Sequence, residues 1–413
     1  MSNMEFKHTQ LDNGLTVVGE INTAAQSAAV GFFVRTGSRD ETSEVSGVSH
    51  FLEHMMFKGT DNLSAAEVNE AFDRLGAKYN AFTSEENTVY YAAVLPEYLL
   101  AVTELWSRLM RPSLRRQDFD IEKNVIKEEI AMYKDLPQFD VMDRCKTLHF
   151  KDHPCGHTVL GTEESITALS AEQMRNYFAN RYAPNNMVLA CCGNFDFDSI
   201  CSLAEAQCGK WTPSDVSREL TFYTGSKDKQ RIEKPNLVRE HICLVSSAVP
   251  MQDERRFATS LLAMIIGDSS GSRYFWQLVE PAIAEVAAMQ YESMDGVGAL
   301  YSYIRCGGES ISQVARILGG IFEDLRTRGV SEDELQKAQN KVLSALTIKC
   351  EQPMGRLTNL GFNWVYLQRY RSMADDVAAV KAVTPADVNA IIAEFNPGDF
   401  TQLSLGPAGI RLD

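Results

Sequence analysis

The first 35 residues of the chain carry the apolar pattern of β-strands. Residues 11–15, Leu-Asp-Asn-Gly-Leu, are a turn signal between two short apolar runs, and residues 28–34 form an apolar run of strand length. Gly37 then breaks the pattern ahead of a further segment that ends at Gly59. The pattern predicts strands within residues 4–35, followed by a helix.

A second helix and a strand-rich stretch come next. Ser64 and Glu67 form a capping box, Val68 and Phe72 fall on one helical face, and Gly76 marks the end of the helix. Residues 79–95 are rich in aromatic and β-branched side chains, which favour one or two strands. Residues 79–84 are either part of a plain structural hairpin or an exposed sheet edge, to which an extended peptide would add as one more strand.

The helix that ends at Gly59 contains the most informative pattern, His-Phe-Leu-Glu-His at residues 50–54. Residues four apart lie one above the other on a helix, so His50 and His54 would present two imidazoles to one point, with Glu53 beside them. This order is the inverse of His-Glu-x-x-His, and it predicts a zinc site with a general base attached. A chance His pair on a surface helix is the alternative.

A catalytic zinc ion usually has three protein ligands and a fourth position for water, so a further ligand must come from elsewhere in the chain. A helix is predicted from Asp118 to Tyr133, and its Glu122 and Glu129 are two turns apart on one face, while Glu128 points about 100° away. Such glutamates are usually solvated. We expect Glu129 to bind the metal and Glu122 to orient the metal ligands without binding the metal itself.

Other histidines are weaker candidates. His149, His153 and His157 share a four-residue spacing, but Pro154 disrupts any helix that would align them. We therefore do not expect them to form a second metal site.

The two halves of the chain resemble each other. Residues 169–174 match residues 383–388 at an offset of 214, and the helix of residues 117–137 matches residues 331–353 at an offset of about 217. On that alignment Gln339 takes the place of Glu122, and Leu346 that of Glu129. The expected fold is α+β, with two homologous domains in tandem, each a mostly antiparallel sheet packed with helices. The expected domains are a zinc-bearing catalytic domain (1–215), a linker (216–236) and a homologous domain without metal (237–413).

Composition narrows the range of partners and compartments. The 413 residues are 45% hydrophobic with a formal net charge of −15, which argues against nucleic acid or an anionic membrane surface as a partner. The start has no signal or transit pattern, and no run of 18 apolar residues occurs. The nine cysteines contain no Cys-x-x-Cys pair, so we expect reduced thiols in a cytoplasmic protein.

Taken together, these residues resemble a known family. The pattern at residues 50–54 with Phe-Lys-Gly-Thr at 57–60, Asn-Ala-Phe-Thr at 80–83, Glu-Asn-Thr at 86–88, and then Glu122 and Glu129, closely resembles the pitrilysin family of inverzincin metallopeptidases. The most similar branch is the half-size one that includes the β subunit of the mitochondrial processing peptidase and its bacterial relatives. The resemblance covers the whole chain.

The resemblance implies a role for each matching residue. His50, His54 and Glu129 become the ligands of Zn²⁺, Glu53 the general base, and Glu122 a supporting carboxylate of the catalytic site. Asn80, Ala81, Phe82 and Thr83 become the strand that receives the peptide substrate. In such enzymes two domain pairs enclose a chamber that admits unfolded peptides, and this chain has one pair.

One feature of active relatives is missing. Their second domain pair carries an Arg and a Tyr seven residues apart, which hold the substrate carbonyl and the developing oxyanion. The matching segment here is residues 273–286, where these positions are Val279 and Val286. We therefore expect a heterodimer with a homologous subunit that supplies the Arg/Tyr pair, and otherwise a homodimer.

The rival functions are a non-catalytic core or scaffold subunit of the same fold and a zinc hydrolase of small molecules.

Overall fold

The computed structural model describes residues 4–407, which form two compact units. Unit 1 contains the described residues up to Ile130, together with His157–Glu219 and Thr347–Met373. Unit 2 contains Ala131–Gly156, Leu220–Leu346 and the described residues from Ala374 onward. No helix within residues 4–407 has the length and apolar character needed to cross a bilayer.

Each unit is built on one large sheet, and unit 1 also has a separate sheet of two short strands. The strands are β1 (Met4–Gln10), β2 (Thr16–Asn22), β3 (Ala28–Val34), β4 (Gly59–Thr60), β5 (Leu63–Ser64), β6 (Lys78–Thr83), β7 (Thr88–Val94), β8 (Met187–Gly193), β9 (Lys229–Glu233), β10 (Arg239–Ala248), β11 (Ala284–Ser293), β12 (Gly298–Gly307) and β13 (Thr401–Gly406). Unit 1 has the order β1-β2-β8-β3-β7-β6, and unit 2 has β11-β12-β10-β13-β9.

Helices make up most of the rest of the described chain. They are α1 (Val48–Met56), α2 (Ala65–Arg74), α3 (Leu99–Leu109), α4 (Arg116–Asp135), α5 (Pro137–Phe150), α6 (Glu163–Ala168), α7 (Ala171–Arg181), α8 (Phe197–Cys208), α9 (Arg256–Gly267), α10 (Ile311–Arg328), α11 (Glu332–Cys350), α12 (Pro353–Leu367), α13 (Met373–Ala382) and α14 (Pro385–Glu394). The predicted strands of residues 4–35, the capped second helix and the α+β class are confirmed.

The two sheets repeat one topology, as the sequence predicts. Without β1, the first sheet has the order β2-β8-β3-β7-β6, and the second sheet, read from its other end, has β9-β13-β10-β12-β11. Numbered along the chain from β2 and from β9, the strands of the two sheets have the same order. In each sheet the first pair on this path, β2 with β8 or β9 with β13, is parallel, and the remaining pairs are antiparallel. Among the described residues, the second sheet lacks only a counterpart of β1.

The register between the halves corrects the sequence alignment by one residue. Lys123 donates to Thr167 O and Leu169 O at 2.9 and 2.6 Å, and Gln339 donates to Val380 O and Val383 O, both at 3.0 Å. Gln339 therefore occupies the place of Lys123, not that of Glu122. The starts of α4 and α11 agree with this offset of 216. The places of Glu122 and Glu129 then fall on Ala338 and Ala345, and neither can bind a metal.

Each unit takes one helix from the other half of the sequence. In unit 1, β3 is buried on both faces: Val30 and Phe32 belong to one apolar cluster, while Phe33 belongs to another that α12 completes. A Cβ at Gly361 of α12 would lie 2.2 Å from Phe33 Cζ, so this close packing requires glycine. In unit 2, α5 packs on β10 and β13 in the same way.

The predicted boundaries of the two homologous domains, at residues 215 and 237, remain predictions. Within the predicted linker, residues 216–236, the structure has the strand β9. The compact units are not contiguous in sequence, because α5 and α12 are exchanged between the halves.

Candidate metal centre

Helix α1 directs both histidines to one side. It begins after Gly47, whose φ of 89° lies in the left-handed region that favours glycine. The four-residue spacing brings the rings of His50 and His54 to a centroid distance of 4.7 Å. The apolar residues Phe51, Leu52, Met55 and Met56 fix the helix in the core of unit 1. Burial of one helix face therefore determines where the other face presents its imidazoles.

Helix α4 brings Glu129 to the same point. Its Oε1 lies 3.7 Å from His50 Nε2 and its Oε2 lies 3.4 Å from His54 Nε2. Ligand atoms of a tetrahedral zinc site, at about 2.0–2.1 Å from the metal, are separated by roughly 3.4 Å. Within residues 4–407, His50, His54 and Glu129 are the only group of three or more His, Cys, Asp or Glu residues whose ligand atoms are this close. Two imidazoles and one carboxylate fit a zinc ion with one coordination position left open.

Glu122 lies behind His54, as the two-turn spacing on α4 predicts. Its Oε1 is 2.9 Å from His54 Nδ1, and its Oε2 is 2.5 Å from Lys58 Nζ. Burial raises the pKa of Glu122, but the hydrogen bonds to His54 and Lys58 outweigh burial and leave the pKa lowered. Glu122 is therefore a buried anion that orients the His54 ring so that Nε2 faces the metal site.

The two histidines have different surroundings. Burial lowers the pKa of His50 to about 3, so its imidazole is neutral and ready to bind a metal. Its Nδ1 is buried without a hydrogen-bond partner among the described residues. Burial also lowers the pKa of His54, but the hydrogen bond to Glu122 and the charges of Glu129, Glu122 and Glu53 reverse the effect and leave the pKa raised.

Glu53 is next to His54 and points toward strand β6. Its Oε2 accepts a hydrogen bond from Thr83 Oγ1 at 2.6 Å. Burial raises the pKa of Glu53, and the bond from Thr83 offsets part of that rise. A half-buried carboxylate with a raised pKa beside a metal site suits a group that accepts and returns a proton.

Sequence reasoning missed the residue that anchors the start of α1. Glu41 is buried, and its carboxylate accepts hydrogen bonds from the backbone N–H groups of Gly47 and Ser49 at 2.6 and 2.7 Å. Burial raises the pKa of Glu41 to about 8, although the two backbone hydrogen bonds lower the pKa in part. The signal for this contact is weak, because Glu41 precedes the helix by seven residues and reaches it through a loop.

Strand β6 is an end strand of the unit 1 sheet and contacts α1. Alternate side chains point to opposite faces: Tyr79 stacks on Phe72, whereas Phe82 contacts Phe362 of α12. One side of β6 pairs with β7. The backbone N–H of Ala81 donates to the side-chain Oδ1 of its neighbour Asn80 at 2.9 Å. The predicted sheet edge thus lies beside the metal centre.

The three further histidines do not converge. His149 Nδ1 lies 2.9 Å from Thr401 Oγ1, His153 Nε2 lies 3.3 Å from Thr221 O, and His157 Nδ1 lies 3.0 Å from Ser38 O. Each ring has a separate structural contact.

Comparison with known families agrees with this geometry. Residues 16–163 match the family model described as insulinase (peptidase family M16), and residues 168–342 match the model described as peptidase M16 inactive domain. The chain belongs to peptidase family M16. The predicted resemblance to the pitrilysin family is confirmed.

Individual relatives match over their full length. The chain is 30% identical to an uncharacterized zinc protease of Bacillus subtilis, covering 98% of this chain and 99% of the relative. It is 31% identical to an uncharacterized zinc protease of Mycobacterium tuberculosis, covering 98% and 94%. A protease from Helicobacter pylori of known structure has a TM-score of 0.89 at 20% identity, covering 98% and 100%, and shows the same fold. Given the donor set and the zinc proteases among its relatives, zinc is the cofactor of this site.

Proposed function

We propose that the chain is a zinc metalloendopeptidase that cleaves unfolded peptides, and that it is the zinc subunit of a cytoplasmic heterodimer. The observation that carries the proposal is the convergence of His50, His54 and Glu129 beside Glu53, next to the open edge of β6.

The side chains divide the chemistry among them. Zinc, when bound, supplies Lewis acidity: it lowers the pKa of a water molecule and polarises the scissile carbonyl. Glu53 then takes the proton from the attacking water and returns it to the leaving amine. Glu122 keeps His54 in the orientation that metal binding requires.

The edge of β6 supports a peptide as the substrate. An extended peptide that pairs with Asn80, Ala81, Phe82 and Thr83 would be held by backbone hydrogen bonds, which tolerate many side chains. Because β6 contacts α1, such a peptide would lie next to the metal ligands. A small-molecule hydrolase would have no use for a free strand edge at this position.

Two side chains that offer no hydrogen bond support the proposal of a heterodimer. Val279 packs against the main apolar cluster of unit 2, and Val286 packs against its second cluster. Nearby Arg273 donates from Nη1 to Asp324 Oδ2 at 2.9 Å and from Nε to Glu334 Oε1 at 2.8 Å. Loss of one oxyanion donor typically costs 10²–10³ in rate, or about 3 kcal/mol. We infer that a homologous chain with the Arg/Tyr pair completes the site.

The test is to purify the chain, measure bound zinc, and assay hydrolysis of an unstructured peptide with and without 1,10-phenanthroline. The assay is repeated after adding a homologous chain from the same organism that carries the Arg/Tyr pair. We expect a single zinc per chain and chelator-sensitive cleavage that rises about a hundredfold with the partner.

Glu53→Gln is the matched variant, because it keeps the size of the side chain and all three metal ligands. It should bind zinc and lose cleavage. Full activity of the isolated chain, unchanged by the partner, would refute the heterodimer, whereas no cleavage in either assembly would favour the non-catalytic scaffold.

A further inference from the structure

The hydroxyl of Thr83 is the sole hydrogen-bond donor to the carboxylate of Glu53 among the described residues. The distance of 2.6 Å is that of a strong bond from a hydroxyl to an ionised oxygen. Glu53 is on α1 and Thr83 is at the end of β6, so the bond joins the metal-binding helix to the edge strand. The carboxylate is thereby held from the strand side of the site.

The pleat of β6 determines the direction of Thr83. Tyr79, Ala81 and Thr83 share one face of the strand: Tyr79 stacks on Phe72 of α2 at 3.9 Å, and Ala81 is buried in the core that contains α1. Asn80 and Phe82 point to the opposite face. A peptide that pairs with the strand edge would therefore meet the backbone of β6, while the Thr83 hydroxyl is already engaged by Glu53.

Backbone hydrogen bonds and a buried ion pair hold the turn after Thr83. The loop that joins β6 to β7 receives backbone hydrogen bonds from Ser38 and Arg39, at 3.4 and 2.7 Å. The side chain of Arg39 also forms a buried ion pair of 2.6 Å with Glu86 of this loop. A Cβ at Gly37 would lie 2.2 Å from Ser84 O, so the two segments are in direct contact. Buried charges and backbone bonds thus fix the end of the strand that carries Thr83.

We propose that the side chain of Thr83 positions Glu53 and does not contact the substrate, which would pair with the backbone of β6. Its hydroxyl selects the Glu53 rotamer in which the carboxylate stands next to the zinc ligands. The inference rests on the proposed peptidase function, because only a reaction that uses Glu53 as the base gives this bond a kinetic effect. A misplacement of about 1 Å in a catalytic group can cost a hundredfold in rate.

The kinetic test compares Thr83→Val with Thr83→Ser in the assembly that cleaves the peptide. Valine keeps the shape of threonine without the hydroxyl, and serine keeps the hydroxyl. We expect Thr83→Val to lower kcat ten- to a hundredfold with KM changed less than about twofold. Thr83→Ser should keep kcat within about threefold, and all variants should keep zinc. Thr9→Val is the control, because Thr9 is a half-buried threonine on the opposite edge strand, β1. It should leave kcat unchanged.

A second measurement needs neither activity nor metal. In metal-free protein, the melting temperatures of Thr83→Val, Glu53→Ala and the double variant form a thermodynamic cycle. If the two side chains are bonded, Thr83→Val should lower the melting temperature in the natural background and have no further effect once Glu53 is alanine.

The outcomes separate the two proposals. A natural chain that cleaves no peptide in either assembly refutes the peptidase, and with it the kinetic role of Thr83. A natural chain that cleaves, together with an equally active Thr83→Val, refutes the positioning role alone. A raised KM at unchanged kcat would make the Thr83 hydroxyl a substrate contact instead. Equal losses of melting temperature in both backgrounds would show that the bond to Glu53 does not form.

Discussion

The ammonium group of Lys58 lies 2.5 Å from Oε2 of Glu122, while Oε1 of the same carboxylate lies 2.9 Å from Nδ1 of His54. Lys58 lies two residues beyond the end of α1, in the turn that leads to β4, and this turn brings its ammonium group to the Glu122 carboxylate. The Glu122 carboxylate thus contacts a cation through one oxygen and an imidazole through the other. Its burial would otherwise be costly, since an unpaired buried charge destabilises a protein by several kcal/mol.

Removing the Glu122 carboxylate should weaken zinc binding without removing a ligand. We expect Glu122→Ala to raise the zinc Kd ten- to a hundredfold, because His54 loses the partner that orients its ring. Glu122→Gln should cost less, since its amide oxygen can still accept the proton on His54 Nδ1. Competition with a fluorescent chelator measures both values. Equal affinity of Glu122→Ala and the natural protein would contradict the assigned role.

Glu129 should behave as a ligand. Glu129→Gln is expected to raise the zinc Kd by more than the roughly hundredfold loss of an outer partner, because a neutral amide replaces a coordinating carboxylate. The neighbouring Glu128 is exposed and serves as the matched control, so Glu128→Gln should bind zinc normally. If Glu129→Gln kept its zinc while Glu128→Gln lost it, the third ligand would have to be reassigned.

Local periodicity was enough to predict the elements that build the metal centre. Two imidazoles on one helix and two carboxylates on another follow from spacings of four and seven residues, which any helix must obey. The capping box of α2 likewise depends only on residues close in sequence. In these cases the sequence contains the whole physical cause.

Contacts between distant segments could not be predicted in this way. The exchange of α5 and α12 between the two halves of the sequence depends on which sheet each apolar helix face meets, and periodicity does not identify that sheet. The one-residue shift between the halves became visible only through the matching carbonyl contacts of Lys123 and Gln339. The contact of Glu41 with the start of α1 depends on a loop path that no motif describes.

Loss of Glu41 should loosen the metal-binding helix. Glu41→Ala leaves the buried N–H groups of Gly47 and Ser49 without an acceptor, which we expect to lower the free energy of unfolding by about 2–4 kcal/mol. Thermal denaturation of the metal-free protein measures this loss. Glu44→Ala is the control, because Glu44 is exposed in the same loop and should change stability by less than about 0.5 kcal/mol. A Glu41→Ala protein as stable as the control would show that the helix does not depend on this anchor.

The final prediction concerns a histidine of unit 2 that is not among the candidate metal ligands. His149 is buried at the end of α5, with Nδ1 at 2.9 Å from Thr401 Oγ1. Its Nε2 has no hydrogen-bond partner among the described residues, and the ring packs so closely on Gly225 that a Cβ there would lie 1.7 Å from His149 Cε1. A proton on this ring would therefore add a buried charge whose Nε2 has no acceptor among the described residues.

Burial lowers the pKa of His149 from 6.5 to about 4, so the folded protein resists protonation that the unfolded chain accepts. This contribution to stability is present above pH 6.5 and is lost as the pH falls from 6.5 to 4, with a total on the order of 3 kcal/mol. His149→Asn keeps a hydrogen bond to Thr401 but cannot be protonated, so its melting temperature, measured with chelator present, should fall less between pH 7 and pH 4. The exposed His8 provides the control, and His8→Asn should keep the acid sensitivity of the natural protein. Identical pH profiles for His149→Asn and the natural protein would show that the acid loss originates elsewhere.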